Sequence, residues 1–415
     1  MARLNNVLFL IVAIAILVAI PIAWQMLKSD SSGGTGVGQV QVNYGRTGAL
    51  IGDVPFDWHP VDEAFFVEKI VAANHTVFDV NVAVGFELIN GMAFAPDGRL
   101  FYTELSGSVK VLKGWQTTEF ARIADADIAV GKDGEAGLFD ITLDPNFEEN
   151  GFVYVYYLSN GTNKIVRFTD QNGIGVNSTM ILDGIPQGIQ HNGGVLKFGP
   201  DGKLYLSVGD GQLEGESLGI RNPSQNITSL QGKILRMNPD GTIPDDNPFP
   251  NSYTFAYGLR NPFGYDFNPE SGKIFSGDNG IDCCDELTIM EEGNNSGWPL
   301  ELGITESEEF KQPIYAWSAS ERVAPTRVAF YNSTDLYMGT WRTRELYHFI
   351  LDGEDIVNVE TFVLGDLPQD LITGAHAGLM HEGADPRGGI LDVELGPDGF
   401  LYITDADGIY RLKFR

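Results

Sequence analysis

Three residues of this 415-residue chain, His191, Asp210 and Arg260, combine a reactive side chain with a glycine-bearing loop. His191 opens the run HNGGVLKF and follows the loop DGIPQGIQ. An unperturbed imidazole titrates near pH ~6.5, which suits a general base, and flanking glycines let a ligand approach closely. The alternative is a histidine that only hydrogen-bonds within its loop. Asp210 lies in SVGDG, where it could orient an imidazole or simply cap a turn. Arg260 and Asn261 follow Tyr257-Gly-Leu, and a guanidinium there offers a planar fork to a carboxylate or pairs with an acid of the protein.

Two further segments could hold ions. Residues 278–287, DNGIDCCDEL, combine acids, glycine and carbonyls as a calcium loop does, but lack the twelve-residue EF-hand spacing; a solvated acidic turn fits equally. His376, His381, Glu382 and Asp385 cluster without any standard ligand spacing and read as a loop with incidental histidines. Cys283 and Cys284 are the only cysteines, which excludes a zinc finger and a multi-disulfide framework. A vicinal disulfide and two packed thiols both remain open.

Such loops need a scaffold that converges them. A recurring phrase supplies it. FAPDGRLFYTE starts at Phe94, FGPDGKLYLSV at Phe198 and LGPDGFLYITD at Leu395, with weaker copies from Leu143, Phe267 and Tyr331. In each, a strand ends, Pro pre-sets φ, Asp caps the turn, Gly takes positive φ, and an alternating strand begins. Copies about 50 to 70 residues apart read as blades of an all-β, six-bladed β-propeller. The alternative is a β-sandwich with chance hairpins. The 50 glycines and 25 phenylalanines favour short strands over long helices. Residues 61–74 are expected as a short helix or an edge strand.

Net charge is −29, from 27 basic and 56 acidic residues, which excludes a general nucleic-acid binder. Val7 to Leu27 is long and apolar enough to cross one bilayer. Residues 1–29 are therefore expected to be a transmembrane helix or uncleaved signal, 30–45 a flexible linker, and 46–415 the propeller. Six sequons, at Asn74, Asn160, Asn177, Asn226, Asn294 and Asn332, point to a glycosylated, extracytoplasmic domain on a single-pass membrane anchor.

Six ordered blocks resemble the soluble quinoprotein glucose/sorbosone dehydrogenases, also called aldose sugar dehydrogenases. They are GEAGLFDITLDPNF from Gly134, HNGGVLKFGPDGKLY from His191, QGKILRMNPDGTIPDDNPF from Gln231, YGLRNPFGYDFNP from Tyr257, DELTIMEEGNNSGWP from Asp285 and LDVELGPDGFLYITD from Leu391. The resemblance implies a six-bladed propeller that binds pyrroloquinoline quinone (PQQ) and calcium and oxidises a sugar or related alcohol, passing electrons to an acceptor. It implies His191 as base, Asp210 as its support, and Arg260 and Asn261 against the quinone. It places the carbonyls of Gly280 and Ile281 on the cofactor's calcium and Asp285 and Glu286 at structural calcium sites. Arg342 is implied as a basic cofactor contact and Trp317 as an aromatic wall.

The chain departs from the family pattern in two places. An Arg-x-Arg before the last blade's Asp-Val is replaced by Gly389 and Leu391, with Arg387 the nearby substitute; Glu135 stands where a Gln is usual beside the quinone. Other quinoproteins place a vicinal disulfide against their cofactor, and Cys283-Cys284 adjoins the expected calcium loop. The missing arginines keep open a binding propeller without catalysis. A calcium-dependent, lactonase-like hydrolase would recruit Glu135, Asp210 and Asp285.

Overall fold

The computed structural model describes residues 88–414 except 115, 128–134, 213–221, 282, 364–388 and 406–407, together with the strands Asn43–Tyr44, Phe56–Pro60 and Phe65–Ala72. The expected anchor, the sequon at Asn74, Arg387 and the cluster from His376 to Asp385 lie outside the described residues. No helix among the described residues is long and apolar enough to cross a membrane.

Six antiparallel sheets form the blades of a β-propeller. Blade 1 is Ile89–Phe94, Leu100–Glu104, Ser108–Lys113 and Gln116–Arg122. Blade 2 is Leu138–Leu143, Phe152–Ser159, Thr162–Asp170 and Gly175–Pro186. Blade 3 is Leu196–Phe198, Leu204–Val208, Lys233–Met237 and Thr254–Tyr257. Blade 4 is Pro262–Phe267, Ile274–Asp278, Glu286–Met290 and Tyr315–Ala316. Blade 5 is Pro325–Phe330, Asp335–Thr340, Glu345–Asp352 and Asp355–Val363, with Phe56–Pro60 added in parallel outside it. Blade 6 is Asp392–Leu395, Leu401–Asp405 and Gly408–Phe414, completed by Phe65–Ala72.

All six copies of the phrase fall on the turn between the first and second strand of a blade. Asp201 shows how the turn is held: its carboxylate accepts from the Lys203 N–H at 3.0 Å and from the Tyr205 hydroxyl at 3.0 Å. Gly202 sits at φ 71°, a region costly for other residues. Asp398 and Tyr402 repeat the bond at 2.9 Å in blade 6.

The ring closes through six apolar seams, one between each pair of neighbouring blades. Phe101, Val109 and Phe120 of blade 1 meet Ile141, Val153 and Val155 of blade 2, and so on around to Tyr402 and Ile409 of blade 6, which pack on Ile89, Met92 and Leu100 of blade 1. Each buried Leu or Phe contributes roughly 1.5–3 kcal/mol. Within segment 61–74, Phe65–Ala72 is a strand: Phe65 pairs with Phe414 and Ala72 with Gly408, so the start and end of the propeller sequence share one sheet. Within the segment read as a linker, Asn43–Tyr44 pair in parallel with Glu301–Leu302.

The axis is ionic, a feature the sequence reading did not anticipate. The first strands place Arg327 against Asp140, with Nη2 and Oδ1 at 2.7 Å, and 3.6 Å from Asp392. Lys197 lies 2.8 Å from Asp266 and 3.5 Å from Glu394. Backbone N–H groups of Met92, Leu196 and Phe330 donate to Asp392, Asp140 and Asp266, so every blade contributes to one network. Burial, partly offset by Arg327, pushes Asp392 up to about 6. Burial, partly offset by Lys197, pushes Glu394 up to about 7.

Candidate functional site

In a four-stranded antiparallel blade, successive connections alternate between the two faces. The turn between strands two and three therefore shares a face with the crossover to the next blade. The PDG turns lie on the opposite face. His191 is on the crossover from blade 2 to blade 3, Asp210 on the second-to-third connection of blade 3, and Arg260 on the crossover from blade 3 to blade 4. Three loops from adjoining blades thus meet on one face.

The meeting is by direct contact. His191 Nδ1 lies 2.7 Å from Asp210 Oδ1, and both residues are buried. Asp210 is held by the Gln212 N–H at 2.9 Å and by the Trp298 indole N–H, which donates to Oδ2 at 2.9 Å. Burial alone would raise the Asp210 carboxyl, but the hydrogen bond and charge of His191 outweigh it and hold the group below its usual range. Asp210 is therefore ionised at neutral pH.

The backbone of His191 is in the left-handed region at φ 57°. Such a backbone costs of order 1–3 kcal/mol in a non-glycine residue and persists where its surroundings fix it. Here the Glu135 carboxylate accepts from the His191 N–H at 3.0 Å, the His191 carbonyl accepts from Gly211 N–H at 3.1 Å, and Asn261 Oδ1 accepts from Gly193 N–H at 3.1 Å. Gly209 lies against this bend, and a Cβ there would come within 2.3 Å of the His191 carbonyl oxygen.

Arg260 donates through Nη1 to the carbonyls of Asn279 at 2.7 Å and Gly280 at 2.8 Å, and its guanidinium lies 5.4 Å from the Trp298 ring centre. Its Nε is buried without a hydrogen-bond partner. Burial pulls the guanidinium below its ordinary range, opposed by Asp210, Asp278, Asp285 and Glu135. Asp278 accepts from the N–H groups of Arg260 at 2.9 Å and Asn261 at 2.6 Å. The Gly280 N–H in turn donates to Asp285 at 2.9 Å.

Cys283 and Cys284 are joined as a vicinal disulfide. It packs with Trp298, Leu302 and Ile281. The disulfide therefore backs the indole that holds Asp210, which in turn holds His191. Trp298 was missed from sequence, and Asp278 was read only as one acid of the candidate calcium loop 278–287. The signal for Asp278 was its place at the end of a second strand, where Glu104 and Asp405 recur in blades 1 and 6.

Several expected site residues do other work. Trp317, expected as a wall of the site, is buried in the seam between blades 4 and 5 against Tyr315 and Tyr347. Asp285 and Glu286, expected at structural calcium sites, take backbone donors here. Asp285 accepts from three backbone N–H groups, of Gly280, Val323 and Ala324, and Glu286 accepts from Gly303 N–H. Among the described residues no group of three or more His, Cys, Asp and Glu side chains could hold a metal ion. Arg342 is half-buried on the second-to-third turn of blade 5, its N–H bonded to the Val323 carbonyl at 3.0 Å.

The two positions without arginine have structural reasons. A Cβ on Gly389 would lie 2.1 Å from the Trp341 backbone, so no side chain fits. Leu391 packs with Leu88, Leu105 and Trp341 in an apolar cluster. That side of the face is greasy where the resemblance implied cations. The unpartnered Arg260 Nε, the adjacent Asn261 and the paired His191 nonetheless fit a polar, carbonyl-rich aromatic ligand on the other side.

The family profile described as Glucose / Sorbosone dehydrogenase matches residues 86–411. An uncharacterized protein of Synechocystis, slr1608, is 28% identical over 84% of this chain and 88% of its own length. The aldose sugar dehydrogenase YliI of Escherichia coli is 25% identical over 85% of this chain and 98% of its own. The PQQ-bound aldose sugar dehydrogenase of Streptomyces coelicolor superposes with a TM-score of 0.67 at 26% identity, over 85% of this chain and 98% of that one.

Proposed function

Because the chain belongs to the glucose / sorbosone dehydrogenase family, we propose that it is a PQQ-dependent oxidoreductase that converts an aldose or related alcohol to the lactone. The observation that carries this reading is the 2.7 Å pair of His191 and Asp210 beside Arg260 and Asn261. With Nδ1 committed to an ionised Asp210, Nε2 is the nitrogen that takes the proton of the substrate hydroxyl, and Asp210 stabilises the imidazolium that forms. When bound, the quinone supplies the hydride acceptor. Arg260 and Asn261 would hold it, Arg260 through its spare N–H, and the burial of the pocket strengthens that bond by excluding water. A calcium ion would be held by the carbonyls of Gly280 and Ile281, the former already accepting from Arg260 Nη1.

The apolar segment Val7 to Leu27 and the sequons support a membrane-anchored, extracytoplasmic enzyme near a membrane-associated acceptor. Neither competing reading is favoured. A binding propeller has no need of the His191–Asp210 pair, and the hydrolase needs acids converging on a metal.

The test is dye reduction by purified protein supplied with PQQ and calcium, across a broad panel of aldoses and alcohols. Turnover is expected, and His191→Ala should abolish it with the circular dichroism spectrum unchanged. No turnover on any substrate, together with no spectral sign of quinone binding, overturns the reading.

A further inference from the structure

Glu135 puts a carboxylate where the face is already crowded with negative charge. Its backbone is pinned on both sides: the N–H donates to the Ile189 carbonyl at 2.7 Å, and its own carbonyl accepts from Asn192 Nδ2 at 2.8 Å. Its Oε2 accepts from the His191 N–H at 3.0 Å. The residue is half-buried, so part of it stays accessible.

The surrounding charges are unbalanced. Among the described residues Arg260 interacts with Asp210, Asp278, Asp285 and Glu135, and Arg322 adds a second cation beside Asp285. The positions where further arginines were expected are Gly389 and Leu391, a tight backbone contact and an apolar cluster. An anion entering here meets a net negative field in a poorly solvated pocket, where like charges cost most. Asp210 is pinned in its ionised form by His191 and Trp298. Asp278 and Asp285 accept two and three backbone N–H groups respectively. Glu135 accepts from the His191 N–H, and the Asn192 N–H also favours its ionised form. It is the one of these four acids that is half-buried rather than buried, so solvent can deliver a proton to it, and burial pushes its carboxyl up despite the nearby His191 and Arg260.

We propose that Glu135 takes up a proton from solvent when the site binds a polycarboxylate, so that quinone binding and protonation are linked at this one side chain. This rests on the proposed quinone chemistry and deepens it. Protonated, Glu135 adds no charge and can donate a hydrogen bond to a ligand carboxylate or carbonyl oxygen. The sign follows from linkage: binding that consumes a proton weakens as pH rises, by up to ~tenfold per unit. His191, Asp210, Asp278, Asp285, Arg260 and Arg322 are the other charged or titratable groups about this site, and all are present in every Glu135 variant. The difference between variants therefore isolates Glu135.

The experiment measures PQQ binding to the apo-protein by tryptophan fluorescence quenching at pH 6 and pH 8, without substrate. Glu135→Gln keeps an oxygen acceptor for the His191 N–H, and its thermal midpoint reports that the fold is intact. The ratio of Kd at pH 8 to Kd at pH 6 is expected to be at least ~tenfold larger in the wild type than in E135Q, with E135Q binding more tightly at pH 8. Glu135→Asp, which keeps a carboxyl, should retain the wild-type ratio. A wild-type ratio less than tenfold above that of E135Q, or a ratio lost in E135D as well, overturns the inference while the quinone reading stands. No PQQ binding by any of the three proteins at either pH overturns both.

Discussion

Replacing Trp298 by Phe should move the pH dependence of the site without dismantling it. The indole N–H donates to Asp210 Oδ2 at 2.9 Å, and the ring packs on the Cys283–Cys284 disulfide and Leu302. Phe keeps a ring in that place and removes the donor. A hydrogen bond to an ionised group is worth roughly 1.5–3 kcal/mol, and the smaller ring leaves a small void, so the apo-protein should lose about 2–4 kcal/mol of stability. With one donor gone, the Asp210 carboxylate is less stabilised and presents more charge to His191. The imidazolium gains, so the His191 proton is held to higher pH. The acid limb of kcat/KM should move up by about half a unit to one unit, and kcat/KM on that limb should fall about three- to tenfold. NMR titration of the His191 ring protons in the apo-protein gives the same shift without cofactor or substrate. A destabilised W298F protein whose His191 titrates as in the wild type would refute the argument that the indole acts through Asp210.

Three more outcomes follow from the fold. Arg327→Met leaves Asp140 and Asp392 without their shared cation, and breaking a buried pair of this kind should cost about 3–5 kcal/mol in urea denaturation. Asp392 and Glu394 have folded values raised to about 6 and about 7, so the native state binds more protons than the unfolded chain above pH ~4. Stability should therefore fall as pH rises from 5 to 8, and Asp392→Asn should flatten that slope, read by thermal midpoints across the range. Deleting residues 1–72 removes the strand Phe65–Ala72 and bares the edge of Gly408–Phe414, so the truncated chain should self-associate in analytical ultracentrifugation.

Local chemistry made the blades legible. Each PDG turn is specified by three or four adjacent residues, and all six copies mark the same turn of successive blades. His191, Asp210 and Arg260 were legible because glycine flanks them on crossover or strand-end loops. Contacts created by the ring were not. Trp298 reaches Asp210 across 88 residues and Arg327 reaches Asp140 across 187, and no local pattern encodes such partners. Trp317 was expected as a site wall from the resemblance alone, and the seam that buries it, formed between blades, has no local pattern to reveal it. The vicinal cysteines stayed ambiguous because sequence spacing does not determine their pairing.

Blade 6 also orders events during synthesis. Its outermost strand leaves the ribosome among the first residues of the fold, whereas the strand it pairs with ends at Phe414. Five blades can condense while the chain grows, but the early segment must wait, unpaired, until Gly408–Phe414 has been made. A nascent chain stalled before Gly408 carries that adhesive segment with no partner strand to receive it, an open edge prone to pair with another chain.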